Sequence, residues 1–436
     1  MRGPTGAPAD RAAVDRAVAA AHRDHWAAVL AATAGAVRDL DLAEDATAEA
    51  FAQALEQWAR DGVPERPGAW LTVTARRRAL DARRREQTLR RKLPLLLWDT
   101  GGGADGGAAD GGTSDGDPRV IDESEVVVRD ERLRLLFLCA HPALAPESRV
   151  ALVLRLVLGL STEEIAAAFL VPVPTMGARL TRAKRRIALS GIPCRVPEPE
   201  ELPGRLTAVL DAISLVLAAG HTAPAGERHD RPDLVGEAVR LLELLKRLLP
   251  GQGEVHGLLA QALLVQARAG TRTDAEGLPV PLDAQDRTRW DRSAVDRADE
   301  LVLDALRGGH RGPYLLQGAI AAARCVPERA EDVDGDEVVE LYDHLLRHWP
   351  GPMVQLNRTV ARARRGDDPT LLLAELDGVA EDLADYRPFH VARAELLRVA
   401  GREEESAAAT QEALRCPGNA AEDALLRRGA GPSPLP

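Results

Sequence analysis

The chain has 436 residues, 45% hydrophobic and 28% charged, which suits about two to four domains with buried cores. No apolar run is expected to approach the ~18 residues that cross a bilayer, and residues 1–11 lack the apolar core of a signal sequence, so neither a membrane-spanning nor an exported protein is expected. The net charge of -11 argues against nucleic acid only until it is divided by position: residues 1–197 carry 28 basic and 26 acidic side chains, the remainder 28 and 41. Cys139, Cys194, Cys325 and Cys416 form no C-x-x-C pair, and the expected compartment is the reducing cytoplasm.

Residues 12–92 read as three or four alanine- and leucine-rich helices without alternating β-branched strands. One of them, Asp41 to Trp58, carries acids in its first turn, a buried stripe of Phe51, Ala54, Leu55 and Trp58, and a polar stripe of Asp45, Glu49, Gln53 and Glu56. Asp61 to Gly68 contains two prolines and two glycines in eight residues and must be a loop. Thr72 to Lys92 then holds nine basic and two acidic residues, a density that repels itself unless phosphates or carboxylates lie opposite. Asp99 to Pro118, with eight glycines, five aspartates and no basic residue, reads as a flexible anionic linker.

Helical periodicity resumes near Glu125. Ser161 and Glu164 form a capping box that opens a short helix, a turn follows at Val171 to Val173, and Pro174 fits the first turn of the next helix. In that helix Met176, Leu180, Ala183 and Ile187 share one face, while Thr175, Arg179, Arg182 and Arg186 share its neighbour. Five basic residues and no acidic one between Thr175 and Ile187 are what a recognition helix in a major groove needs. The plainer alternative is a solvated basic helix.

Prolines at 193, 197, 199 and 203 mark a boundary. Beyond it the pattern predicts helices over about 202–219, 233–249, 254–269, 286–307, 313–325, 336–348, 353–365, 370–383, 387–400 and 403–415. Gly366 and Gly401 each close a helix 35 residues apart, near the ~34-residue tetratricopeptide period. The acidic run from Glu331 to Glu337, with Glu340 and Asp343, suits a basic partner, although solvated charge is the simpler reading.

The order of acidic helix, Pro/Gly loop, Trp-Leu, arginine-rich helix, anionic linker and helix-turn-helix resembles the extracytoplasmic-function (ECF) sigma factors of bacterial RNA polymerase. Leu42-Ala43-Glu44-Asp45-Ala46 with Ala50-Phe51 looks like region 2.2, Ala69-Trp70-Leu71 through Arg76-Arg77-Arg78-Ala79-Leu80-Asp81 with Arg83-Arg84 like regions 2.3 and 2.4, and Ser161 to Ile187 like region 4.2. Phe137 to Leu144 and the long helical C-terminus are similar to the ECF group with a tetratricopeptide-like (TPR-like) extension, as are Gln285 to Asp291 and Gly312 to Ala322. Three departures stand out: Arg77 replaces the group's asparagine, Gly177 and Ala178 replace polar residues, and Ala212 to His221 replaces an aromatic, acidic stretch.

The resemblance implies an all-α protein: a sigma2-like domain at 10–92, a linker at 93–123, a sigma4-like domain at 124–192 and a TPR-like regulatory domain at 200–425. It also implies core RNA polymerase as partner through the β′ clamp helices and β flap, with Asp45, Glu49 and Gln53 on the core-binding face. Arg76, Arg77, Arg78, Arg83 and Arg84 would hold the -10 element, and Thr175, Met176, Arg179, Arg182, Lys184 and Arg186 the -35 element of promoter DNA. A protein or small-ligand regulator is expected at the C-terminal domain, and no membrane, cofactor, metal or catalytic residue is expected. Cys139 with His141, and His344 with His348, have metal-compatible spacings but no complete ligand set. A polymerase-independent helix-turn-helix regulator and a C-terminal enzyme are the alternative classes.

Overall fold

The computed structural model describes residues 11–98, 125–169, 171–190, 192, 195–198, 200–222 and 229–428; most of the expected linker lies outside them. Among the described residues there are helices and no strand, apart from one isolated bridge between Thr273 and Pro279. The chain divides into two compact units, Met1–Ala166 with Pro172–Val209, and Ala167–Val171 with Leu210–Pro436.

The first unit begins with three packed helices, α1 (Arg11–Val37), α2 (Leu40–Asp61) and α3 (Pro67–Trp98). Asp39 caps α2 by accepting from the N–H groups of Asp41 and Leu42, satisfying donors that a helix start leaves without a partner. The loop after α2 is where the prolines and glycines require it, and Gly62 supplies a φ of 85°. Leu71, Ala75 and Ala79 line the buried seam of α3 at four-residue spacing, and Trp58 meets the edge of Trp70 at 5.7 Å between ring centres. Leu55, expected in the buried stripe of α2, is instead 44% exposed, because the inward face is completed by Ala43, Ala46 and Ala50.

Four further helices follow: α4 (Glu125–Cys139), α5 (Pro146–Leu152), α6 (Thr162–Ala168) and α7 (Val173–Leu189). A π-helical turn, Val153–Val157, extends α5 and was not legible in the sequence. The capping box forms in full: Ser161 Oγ accepts from the N–H of Glu164 at 3.1 Å, and Glu164 Oε2 from the N–H of Ser161 at 2.7 Å.

The helix α8 (Leu202–His221) corrects one expectation, since it is long and apolar enough to cross a membrane by length and composition alone, with a mean hydropathy of 1.5 over its best window. It carries Arg205 and Asp211, and Val209, Leu210, Ile213 and Val216 are buried, as in the core helix of a folded domain.

In the second unit lie α9 (Pro232–Leu248), α10 (Gly253–Ala267), α11 (Arg292–Arg307), α12 (Pro313–Cys325), α13 (Gly335–His348), α14 (Pro352–Arg365), α15 (Pro369–Asp377), α16 (Arg387–Val399), α17 (Glu403–Arg415) and α18 (Ala420–Arg427). Two predicted spans are corrected. The helix expected from 286 begins at Arg292, because Asp286 caps a separate 3-10 turn and Asp291 is the true cap of α11. The one expected to reach 383 ends at Asp377. α18 was not foreseen.

The two stretches similar to the ECF group's extension serve packing. Trp290 Nε1 donates to Thr271 Oγ1, and Arg287 stacks over the Trp290 ring. Glu254 on α10 accepts from the N–H groups of Tyr314 and Leu315 and so caps α12 from outside. α10 and α12 touch through backbone: a Cβ on Gly257 would lie 2.2 Å from Leu315 Cα, and one on Gly318 2.4 Å from the Gly257 carbonyl oxygen.

Candidate nucleic-acid interface

α7 has the two faces its sequence requires. Leu180, Ala183 and Ile187 are buried with Met176, while Thr175, Arg182, Arg185 and Arg186 are exposed and Arg179 is half-buried. Two residues expected at DNA need correction. Met176 is fully buried, so it packs the helix-turn-helix and presents nothing to a base edge. Lys184 points away from the arginine face: its side chain is 13% exposed, and Nζ reaches Asp41 Oδ1 at 2.7 Å and Glu44 Oε2 at 2.6 Å on α2.

Glu44 also takes Arg155, from the π-helical turn, at 2.5 Å. A carboxylate 5% exposed thus holds two cations within the first unit. Burial by itself would lower the Lys184 pKa, but the hydrogen bonds to Asp41 and Glu44 outweigh it and raise the value. The sequence held a signal for this triad: Glu44, Thr47, Phe51 and Ala54 follow helical spacing, and a carboxylate in an apolar row needs a cation opposite.

The arginines of α3 divide by task. Arg76 and Arg83 donate to carbonyls near the end of α1, Ala32 from Arg76 and Ala36 and Val37 from Arg83, where the helix dipole favours positive charge. Arg78 binds Gln53 Oε1 through Nη2 at 2.9 Å and Glu49 Oε2 through Nη1 at 2.5 Å. Arg77, Arg84 and Arg85 are exposed, Arg84 lying 3.9 Å from Asp81.

Asp45, Glu49 and Gln53 follow one another at four-residue spacing on α2, with Asp45 and Glu49 exposed and Gln53 half-buried. Arg78 therefore neutralises part of the polar stripe that the sequence presented. The spacing could not reveal this pairing, which links positions 29 and 25 residues apart.

Neither metal-compatible pair gathers a site. His141 Nδ1 accepts from the N–H of Ala143 in a turn, and His344 Nε2 lies 3.8 Å from Glu340. Among the described residues no group of three or more His, Cys, Asp or Glu is placed to hold a metal.

Family models match in the same order along the chain: sigma-70 region 2 over residues 22–88, sigma-70 region 4 over 134–187, and a family of unknown function, DUF6596, over 205–306. Uncharacterized protein R00370 of Rhizobium meliloti (strain 1021) is 40% identical over 399 residues, 89% of each chain. The protein named "Probable ECF RNA polymerase sigma factor SigI" in two strains of Mycobacterium tuberculosis is 31% identical over 198 residues, 45% of this chain and 63% of its own. No solved structure matches. With the helix-turn-helix, the arginine-bearing α3 and these matches in one order, the chain belongs to the family that includes R00370, and it is a sigma factor built on sigma-70 regions 2 and 4.

Proposed function

We propose that the chain is an ECF-type sigma factor that directs RNA polymerase to a specific set of promoters, with a TPR-like helical domain fused as its regulator. The observation that carries promoter reading is the solvent face of α7, where Arg182, Arg185 and Arg186 stand exposed on a helix whose opposite face is buried. Thr175 and Arg179 flank that face and complete the -35 contact. Arg77, Arg84 and Arg85, exposed on α3, hold the melted -10 element together with the loop from Asp61 to Gly68, while Arg76, Arg78 and Arg83 shape the helix from behind.

Asp45 and Glu49 meet the polymerase clamp helices, and Arg78 fixes the rotamer of Glu49 for that contact. A TPR-like reading of the C-terminal helices is supported by Gly366 and Gly401, which end α14 and α16 with φ of 99° and 72° after a matching interval. Part of the acidic run at the start of α13 is already engaged within the domain, while Glu337 and Glu340 have no arginine partner among the described residues. Asp334 caps α13, Glu331 and Asp332 pair with Arg329, Asp336 with Arg365 and Asp343 with Arg358.

Electrophoretic mobility assays with purified core polymerase test the reading. A promoter-length duplex bound by chain plus polymerase, and by neither alone, supports it; equal duplex binding without polymerase would favour a polymerase-independent regulator.

A further inference from the structure

The C-terminal half is acidic overall, yet it sinks arginines where few acids can reach them. Arg287 lies in the 3-10 turn before α11, Arg324 near the end of α12, and Arg364 near the end of α14. Among α12, α13, α14 and the turn at Asp283 is a cavity of about 140 Å³, whose lining includes Arg324, Arg364, Asp283, Tyr342 and Asn357, with Val360 in its apolar wall; Arg287 lies outside that lining.

Asp283 pairs with Arg364 at 2.9 Å, and no ion pair joins it to Arg324 or Arg287. Arg324 makes no hydrogen bond or ion pair to any described residue, and its Nη2 is buried without an acceptor. Arg287 donates Nη1 to the Pro327 carbonyl at 2.8 Å, while its Nε and Nη2 are buried without acceptors. Of the acids beside the lining residues Ala330, Val333 and Gly335, Glu331, Asp332 and Asp336 are engaged by Arg329 and Arg365, and Asp334 accepts from the N–H groups of Asp336 and Glu337 as the cap of α13.

Arg324 thus lines the cavity without the acid that Arg364 has in Asp283, and a buried N–H of a charged group without an acceptor is costly. Burial first, and Arg324 second, push the Arg364 pKa down to about 10, as expected of cations crowded together. An anion in the cavity gives Arg324 an acceptor and offsets the repulsion between Arg324 and Arg364.

We propose that this cavity binds a small phosphate-bearing molecule, its phosphate held by Arg324 and Arg364 with the Tyr342 hydroxyl and the Asn357 amide as neutral partners. Guanidinium forks match phosphate oxygens in pairs, and donors from α12, α13 and α14 surround a tetrahedral dianion better than a planar carboxylate, which one fork satisfies. The volume far exceeds the ~10–15 Å³ that one water occupies but falls short of the ~300 Å³ of drug-sized sites, so it suits a phosphate on a short carbon skeleton rather than a nucleotide. The site lies wholly in the second unit, and its occupancy does not depend on how the chain reads promoters.

Calorimetric titration of the full chain at constant ionic strength, with inorganic phosphate, glycerol phosphate and succinate in separate arms, tests the proposal. Saturable binding of phosphate or glycerol phosphate is expected, weakened at least about tenfold in Arg324→Gln. Tighter binding of glycerol phosphate than of phosphate would identify a phosphomonoester, and the reverse the free ion. Because Arg324 has no hydrogen-bond or ion-pair partner among the described residues, the variant should keep the wild-type circular dichroism and melt no lower than wild type; Asn357→Ala is the second variant, expected to lose about threefold. No saturable phosphate binding by the wild type, unchanged affinity in both variants, or succinate bound as tightly as phosphate would overturn it.

Discussion

Removing the Glu44 carboxylate tests the tie between α2, the π-helical turn and α7. Glu44 is 5% exposed, and the side chains of Lys184 and Arg155 are 13% and 24% exposed, so none of the three is fully solvated. Glu44→Ala leaves both cations facing an apolar row. Deleting one member of such a buried pair costs about 3–5 kcal/mol. Lys184 retains Asp41 and Arg155 retains the Leu160 carbonyl, so the lower end, about 3 kcal/mol, is expected. Lys184→Met, which spares the Glu44 to Arg155 pair, should cost only about 1 kcal/mol. Hydrogen exchange read peptide by peptide suits a two-unit chain better than a global melt, because it reports α2 and α7 separately. Where local opening governs exchange, about 3 kcal/mol means amides of both helices exchanging about 100-fold faster in Glu44→Ala. Exchange within about threefold of wild type in α2 and α7 would refute the triad.

The other expectations are read by different assays. Arg182→Ala should cost about 1–3 kcal/mol in promoter binding by the polymerase complex and relax preference at one or two base pairs, whereas Arg186→Ala should weaken all sequences alike; indifference of binding to both would remove α7 from the DNA. Reversing Asp45 and Glu49 to lysine should reduce capture of core polymerase in pull-downs, and undiminished capture would discard that face of α2. Gly257→Ala should lower stability by about 3 kcal/mol, since its methyl would overlap the Leu315 backbone; an unchanged melting curve would mean that α10 and α12 do not meet there. His229 has its pKa lowered from 6.5 to about 4, by burial first and Arg272 second, with Asp230 partly opposing and Glu422 3.8 Å away. The unfolded chain therefore binds the extra proton first: stability from this group is full above pH 6.5, falls as pH drops towards 4, and the loss reaches about 3 kcal/mol, which His229→Gln should remove from the acid limb of the melting profile.

Local signals were read well from the sequence because their causes are local. The capping box at Ser161 and Glu164, the buried row of α7 and the helix ends at Gly366 and Gly401 each depend on residues within one or two turns. Helix limits failed where a side-chain cap inserted a second start, as Asp291 does five residues after Asp286. The candidate interface was half legible. Which face of α7 turns outward followed from spacing, but Met176 was placed at DNA despite sharing the row of Leu180 and Ile187, a misreading of period rather than a surprise of tertiary structure. Lys184 sits beside arginines in sequence and is withdrawn from them by partners 143 and 140 residues away, a pairing only the fold supplies. The same holds for Arg76, Arg78 and Arg83, which look like DNA cations by composition and are spent on helix ends and amides of α1 and α2.

Run-off transcription by purified core polymerase, on templates carrying the chain's own upstream region, tests the central claim most directly. Transcripts of one defined length, dependent on the full chain and lost when Arg182 and Arg186 are both replaced by alanine, are the predicted result. A chain that leaves core polymerase as inactive on those templates as polymerase alone, or a double variant that transcribes as well as wild type, would contradict it.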